Sequence, residues 1–382
     1  MLDKKGVLFW PVGTGDSTTF VVEPDRLIFQ VDLRQTVKSE DEDTDCAPIV
    51  DKLLEHLPKD GDRPYLSAFA LTHPDKDHVL GFQQLLDSAD IGELWFSPWI
   101  FRENDGDGLC EDAIVFRTEA HRRVDATIAA GGDPGAGDRV RLIGHDPLLE
   151  EEHYQGFPRQ FLTIPGNSVT MLDGVDYPDD FKVFIHGPFK PEDMVGDRNN
   201  TSLVMQVVLG GDPAAGGVLL FGDHKYPTIR KIIDVTRAHD NEDFLRWQVL
   251  LAPHHCSKSV MYQEEGGKTV LKQDMLDDLE ALQVGDGIIV ASSASVPASN
   301  AAGDNPPHAS AKSRYEEIAK GGFLCTHDDG GHAEPLRFEL SDAGLTFDGA
   351  LAEEAGISAL AAAVAEARGS EATPADKVGF GA

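Results

Sequence analysis

Four side chains able to bind metal, His73, Asp75, Asp77 and His78, fall within six residues at the end of an apolar run over residues 65–71. This cluster constrains the fold more than any other stretch. Such residues at a strand end read either as a loop that turns them inward around a cation or as a polar loop with a helix cap, since Asp-rich turns are common. After it, Val79, Phe82, Leu85 and Leu86 recur at helical spacing. The cluster is therefore expected on a loop between a strand and a helix, with Asp77 as the helix N-cap. Imidazole and carboxylate together suit zinc, manganese or iron, and each carboxylate tilts a site toward harder ions.

Two more apolar runs end the same way. Residues 218–221 lead into Gly222-Asp223-His224, and residues 249–253 into His254-His255-Cys256-Ser257. An aspartate where a buried strand meets a loop is poorly solvated unless a cation faces it. Alone, Asp223 could be a turn residue and either histidine a satisfied core residue. Asp304-Asn305-Pro306-Pro307-His308 precedes a helical stretch at about 309–319. Gly13-Thr14-Gly15 lacks the third glycine and the closing acid of a dinucleotide loop, so it reads as a strand turn. Asp16 and Asp32 read as hydrogen-bond partners of the ligand histidines rather than ligands. His56, His121, His224 and His239 read as surface or packing residues.

Around these motifs the chain alternates strand and helix signals. Strands are expected over 6–12, 18–22, 27–32, 181–185, 202–209, 217–221, 249–252, 287–291, 323–325 and 336–340, with a helix starting near Pro48. Residues 102–180, acidic and glycine-rich around one helix near 112–130, read as an exposed insertion. That gives one domain over 1–350 and an Ala-rich tail over 351–382. Two packed sheets with helices outside suit the pattern.

Composition narrows the partners. The 382 residues carry 33 Lys+Arg against 66 Asp+Glu, a net charge of −33, which disfavours binding to long duplexes or anionic membranes through bulk charge. Any polyanionic substrate then needs a local positive source. Lys312 and Arg314, near His308, are candidate phosphate contacts, although such a pair on a helix is usually just solvated. The four cysteines are scattered and form no CxxC pair. The N-terminus reads as a first strand rather than a signal peptide, and no 18-residue apolar run occurs, so a cytoplasmic protein that spans no membrane is expected.

Taken in order, these motifs resemble the metallo-β-lactamase superfamily. The nearer likeness is to the cytoplasmic hydrolase domain of DNA-uptake competence channel proteins, the ComEC type. It rests on Val12-Gly13-x-Gly15-Asp16-Ser17, Leu71-Thr72-His73-Pro74-Asp75-x-Asp77-His78-x-x-Gly81, Asn199-Asn200-x-Ser202-Leu203-Val204, Leu220-Phe221-Gly222-Asp223, Pro253-His254-His255-x-Ser257, Pro307-His308, and Thr326 to Gly330. The resemblance implies an α/β fold, the four-layer αβ/βα metallo-β-lactamase sandwich, with two divalent ions (Zn or Mn) at the sheet edges. One ion would take His73, Asp75 and either His254 or His255; the other would take Asp77 and His78, with Asp223 bridging. A metal-held hydroxide would attack phosphorus or carbonyl carbon, with Asp77, His255 and His308 as the catalytic residues. Asparagine stands at 199–200 where much of the superfamily has a histidine, and Cys256 where the family usually has glycine; that thiol is either an adventitious ligand or packed. The channel and nucleic-acid-binding modules of the competence proteins are absent, so DNA uptake does not carry over.

The expected function is a metal-dependent phosphodiesterase or nuclease acting on a phosphoester, with short single strands or a small phosphodiester fitting best. A lactonase or thioesterase is the rival chemistry. The other class is a non-catalytic subunit that binds a protein partner through the acidic insertion.

Overall fold

Successive residues of the strand Thr18–Glu23 serve two different cores: Phe20 and Val22 point to one, Val21 to the other. The same division runs through the neighbouring strands, because side chains alternate across a pleated sheet. It means that this sheet is covered on both faces. The computed structural model of the chain describes residues 1–40, 44–102, 108–190, 198–300, 306–330 and 332–348. The expected 351–382 tail and Asp304-Asn305 lie outside them, as does the side chain of Asn199.

Among the described residues the first sheet has ten strands, counting the short Lys59–Asp60, which pairs only with Arg63–Ala70. Gly344–Phe347, Leu336–Ser341, Gly6–Phe9, Thr18–Glu23 and Leu27–Val31 are antiparallel neighbours. From Leu27–Val31 onward, Arg63–Ala70, Asp90–Phe96, Arg139–Ile143 and Leu162–Thr163 run parallel. The second sheet has seven. Gly322–Cys325, Gln283–Ala291, Trp247–Leu251 and Gly217–Leu220 are parallel, followed by antiparallel Val204–Leu209, Phe181–Gly187 and Ser168–Val169.

The layer order follows from which residues share a core. Phe9, Phe20, Phe29 and Trp95 of the first sheet meet Val183, Met205, Val218 and Val249 of the second in one apolar cluster. On the outer face of the first sheet, Ile28, Phe69 and Leu94 pack against Leu53, Leu85, Phe116 and Val124 of the helices Ile49–His56, Phe82–Ser88 and Glu111–Ala130. On the outer face of the second, Leu219, Leu250 and Ile289 pack against Ile229, Ile233, Leu279 and Tyr315 of Tyr226–Ala238, Gln273–Leu282 and Ala309–Ile318. Helix, sheet, sheet, helix is the αβ/βα sandwich. Parallel strands buried on both faces read as continuous apolar runs, as those of this chain do.

Two expectations change. The segment 102–180 is not an insertion hung on the domain. Its helix Glu111–Ala130 closes the outer core through Phe116, and its strands Arg139–Ile143 and Ser168–Val169 join the first and second sheets. The helix after the His/Asp cluster also starts earlier and breaks once. Lys76–Val79 has Asp75, not Asp77, at its N-cap, and Gly81 (φ 95) separates it from Phe82–Ser88. A β-carbon on Gly81 would lie 2.9 Å from Cβ of Gln35, so this close left-handed turn requires glycine.

Candidate metal centre

Parallel strands place their C-terminal ends at one rim, and the functional loops follow those ends. His73 follows Arg63–Ala70, Asp223 follows Gly217–Leu220, and His254-His255 follow Trp247–Leu251. Main-chain hydrogen bonds tie the loops together. Asp16 N–H donates to the Asp77 carbonyl (3.0 Å), Leu33 N–H to His78 (2.8 Å), Leu203 N–H to Thr72 (3.1 Å), and His254 N–H to Gly222 (3.0 Å).

The turn carrying the paired histidines is held in an uncommon conformation. His254, His255 and Cys256 all have left-handed backbones, with φ of 49°, 51° and 65°. Each such non-glycine residue is held against an intrinsic cost, which concentrates at functional turns. Glycine would be unstrained at 256, where this chain has cysteine. Its side chain is fully buried among the outer apolar residues, and burial pushes the thiol up to about 12. Cys256 is packed.

Asp223, only 4% exposed, occupies the middle. Its Oδ2 lies 3.6 Å from His73 Nε2 and 3.8 Å from His254 Nε2. Its Oδ1 lies 3.4 Å from both His78 Nε2 and His255 Nε2, and His255 Nε2 is also 3.4 Å from Asp77 Oδ2. Two ligand atoms about 2.1 Å from a tetrahedral ion stand about 3.4 Å apart. The spacings across this cluster are thus close to those of atoms sharing an ion. Asp16, His78, Asp223 and His255 form one group of converging ligand atoms, and His73, Asp77 and His78 another.

The imidazoles are aimed by their other nitrogens. His78 Nδ1 lies 2.7 Å from Asp32 Oδ2, and Asp32 also accepts from Thr72 N–H (2.8 Å) and Thr72 Oγ1 (2.6 Å). His73 Nδ1 is 3.1 Å from Thr72 Oγ1. His255 Nδ1 sits 3.1 Å from the Ser292 carbonyl and 3.3 Å from Asp16 Oδ1. With Nδ1 engaged, each Nε2 faces the centre. Nε2 of His73, His78 and His255 and Oδ1 of Asp223 are buried without a well-formed hydrogen bond. Orphaned polar atoms converging in a buried space are costly unless a ligand satisfies them.

The electrostatics agree. Burial would raise the Asp223 carboxyl, but His255 and His78 outweigh it and hold the group well below the usual carboxylate range. Asp77 is held low against burial by the His255 bond and the His78 charge. Burial disfavours charge on His78 and His255, yet Asp223 with Asp32, and Asp223 with Asp16, push them well above the ordinary imidazole range. Four carboxylates here demand positive charge, and this donor set fits divalent cations.

The remaining expected residues fall as follows. Asp75 stands at the N-cap position of the short helix and belongs to neither converging group, whereas Asp16, expected only as a partner of the histidines, joins one. His254 faces Asp223 at the rim, 21% exposed, while His255 is buried in the cluster. His308 N-caps Ala309–Ile318, with Nδ1 accepting from Ser310 N–H at 3.2 Å, and its own N–H donates to the Cys256 carbonyl. It belongs to neither converging group. Lys312 and Arg314 pair with Glu316 and Glu317 on their own helix. Nothing in the local pattern singles out Ser292, whose Oγ donates to the Gly15 carbonyl at 2.5 Å and whose carbonyl faces His255.

The class of protein defined here is an αβ/βα sandwich with a buried His/Asp cluster fit for metal at its rim. No protein-family model matches the chain, and no curated protein matches it. Among solved structures it is similar to the metallo-beta-lactamase fold protein YhfI from Bacillus subtilis. Identity is 11% and the TM-score 0.41, over 87% of this chain and 100% of that one. It is also similar to a double mutant of the sec-alkyl sulfatase PisA1, at 12% identity and TM-score 0.31, over 73% of this chain and 41% of that one. The fold assignment itself rests on the layer order and strand connectivity. Among the described residues no helix is long and apolar enough to cross a membrane.

Proposed function

We propose that this chain is a metal-dependent hydrolase that cleaves phosphodiesters with two divalent ions, zinc or manganese. The observation that carries the reading is the division of the Asp223 carboxylate: Oδ2 faces His73 and His254, while Oδ1 faces His78 and His255, which adjoins Asp77. His73, His254 and Asp223 would hold one ion; Asp77, His78, His255 and Asp223 would hold the other. When bound, such ions polarise the scissile group and bring the pKa of water toward neutrality.

The chain's own residues supply the rest. Asp32 and Thr72 lock the ring orientations of His78 and His73, and Asp16 and Ser292 that of His255. Asp77, 34% exposed, is the most solvent-accessible of the proposed ligands. His308 is assigned as the leaving-group acid. With Nδ1 accepting the helix-cap bond, Nε2 is the nitrogen that would carry the proton. The preference for a phosphodiester over a lactone or thioester comes from the ordered motifs that resemble the competence hydrolase domain, and cytoplasmic residence from four free cysteines.

Metal analysis of the purified chain, with turnover of bis-p-nitrophenyl phosphate and of a lactone, tests the reading. Two equivalents of metal and phosphodiester turnover lost in D77A support it. Lactone turnover alone would give the chemistry to the rival, and a folded chain that binds no metal would remove the enzyme reading.

A further inference from the structure

Several arginines of this acid-rich chain are held by more than one carboxylate: Arg122 and Arg237 by two each and Arg230 by three. Arg34 has no such clamp. It is half-buried and gives Nη1 to the Val12 carbonyl, and among the described residues no carboxylate pairs with it or with exposed Lys38. Both line a cavity of about 690 Å³, together with Gly13, Thr14, Asp45 and His327. The lining carboxylate, Asp45, is already taken: His332 Nδ1 lies 3.0 Å from one oxygen and His327 Nε2 3.5 Å from the other. The other His327 nitrogen faces Asp328 at 3.2 Å.

This cavity adjoins the metal centre through one residue. A β-carbon on Gly15 would lie 2.2 Å from Arg34 Cδ, 2.6 Å from the Asp77 carbonyl oxygen and 3.0 Å from Asp77 Cβ. Only a glycine backbone separates the guanidinium stem from Asp77. The turn read from the sequence as a plain strand connection is therefore the partition between two compartments, one lined by Arg34 and Lys38 and the other by the His/Asp cluster that would hold the ions. Arginine pairs bidentately with phosphate, and lysine adds a point charge.

We propose that Arg34 and Lys38 bind a second phosphate of the substrate, next to the one held at the metal centre. The substrate class is then a nucleotide or short single strand with at least two phosphates, not an isolated phosphodiester. This deepens the phosphodiester reading and rests on it for the neighbouring phosphate, but the pocket is testable at equilibrium without turnover.

The experiment is titration calorimetry of the full chain, as purified, with a 5′-phosphorylated thymidine dinucleotide at low salt. Wild type is compared with K38E, R34Q and K268E, the last making the same charge change on a remote exposed hairpin. Lys38 is a surface side chain, so K38E keeps the test valid if R34Q fails to fold. The expected result is at least a tenfold loss of affinity in K38E and in folded R34Q, and less than twofold in K268E. Equal losses in K38E and K268E would show bulk charge alone, and wild type that does not bind the dinucleotide would also overturn the pocket. Absence of bis-p-nitrophenyl phosphate turnover, measured separately, would count against the phosphodiester reading and leave the binding comparison decisive for the pocket.

Discussion

Replacing Asp32 by asparagine isolates the aiming of one imidazole. Asp32 sits at φ 57, a left-handed conformation that asparagine also tolerates, so the backbone need not move. Its two oxygens take three donors: Thr72 N–H, Thr72 Oγ1–H and His78 Nδ1–H. Asparagine has one oxygen to offer. If that oxygen stays on Thr72 N–H, the amide NH2 faces His78 Nδ1, which must then accept. The proton moves to Nε2, and the lone pair facing Asp223 is lost. If the amide flips, its NH2 opposes the Thr72 N–H in a buried site, and that donor is orphaned. Removing such a partner typically costs 10–100-fold in metal affinity. That corresponds to about 1.4–2.7 kcal/mol. Competitive titration of zinc against a chromophoric chelator measures it, with thermal unfolding of both proteins to establish that D32N is folded. A folded D32N that binds zinc as tightly as wild type would refute the argument that Asp32 sets the His78 tautomer.

Two further predictions address the fold. Phe116 packs its ring 4.9–6.2 Å from those of Phe69, Phe82, Phe96 and Phe101, so F116A is expected to destabilise the whole chain by about 3–5 kcal/mol in urea unfolding. An independent early transition with the main one unmoved would mean that the 111–130 helix is an appendage after all. His186 is buried, with Nδ1 3.1 Å from Thr236 Oγ1 and Nε2 3.0 Å from the Phe244 carbonyl, and burial pushes its pKa down to about 4. The unfolded chain protonates it near 6.5, so its contribution is intact above that pH. It declines as pH falls toward 4, by up to about 3 kcal/mol. Stability measured from pH 7.5 to 4.5 should therefore fall more steeply for wild type than for H186Q; parallel curves would contradict a buried neutral His186.

The site was legible because its ligands follow apolar runs, and parallel strands buried on both faces leave unbroken runs to read. What escaped has physical causes. The strand Arg139–Ile143 alternates basic with apolar residues and looks like a surface segment. Yet Arg141 is 5% exposed, its guanidinium 5.3 Å from the Trp95 ring and 3.3 Å from Glu93, a buried pairing no local pattern announces. Asp77 has the residue type of an N-cap, but its carboxylate faces His255, and the helix begins beyond Asp75 instead. Asp16 lies in a glycine turn, where an aspartate is ordinary. Long-range contacts bring it into the cluster: its N–H donates to the Asp77 carbonyl, Ser292 Oγ donates to the Gly15 carbonyl beside it, and its carboxylate lies 3.3 Å from His255 Nδ1.

The most direct test of the account is a crystal of the chain grown with manganese or zinc and read by anomalous scattering. Two peaks are expected, one between Asp223 Oδ2 and the His73 and His254 rings, the other between Oδ1 and His78, His255 and Asp77. A single peak away from Asp223, or none at saturating metal, would contradict it.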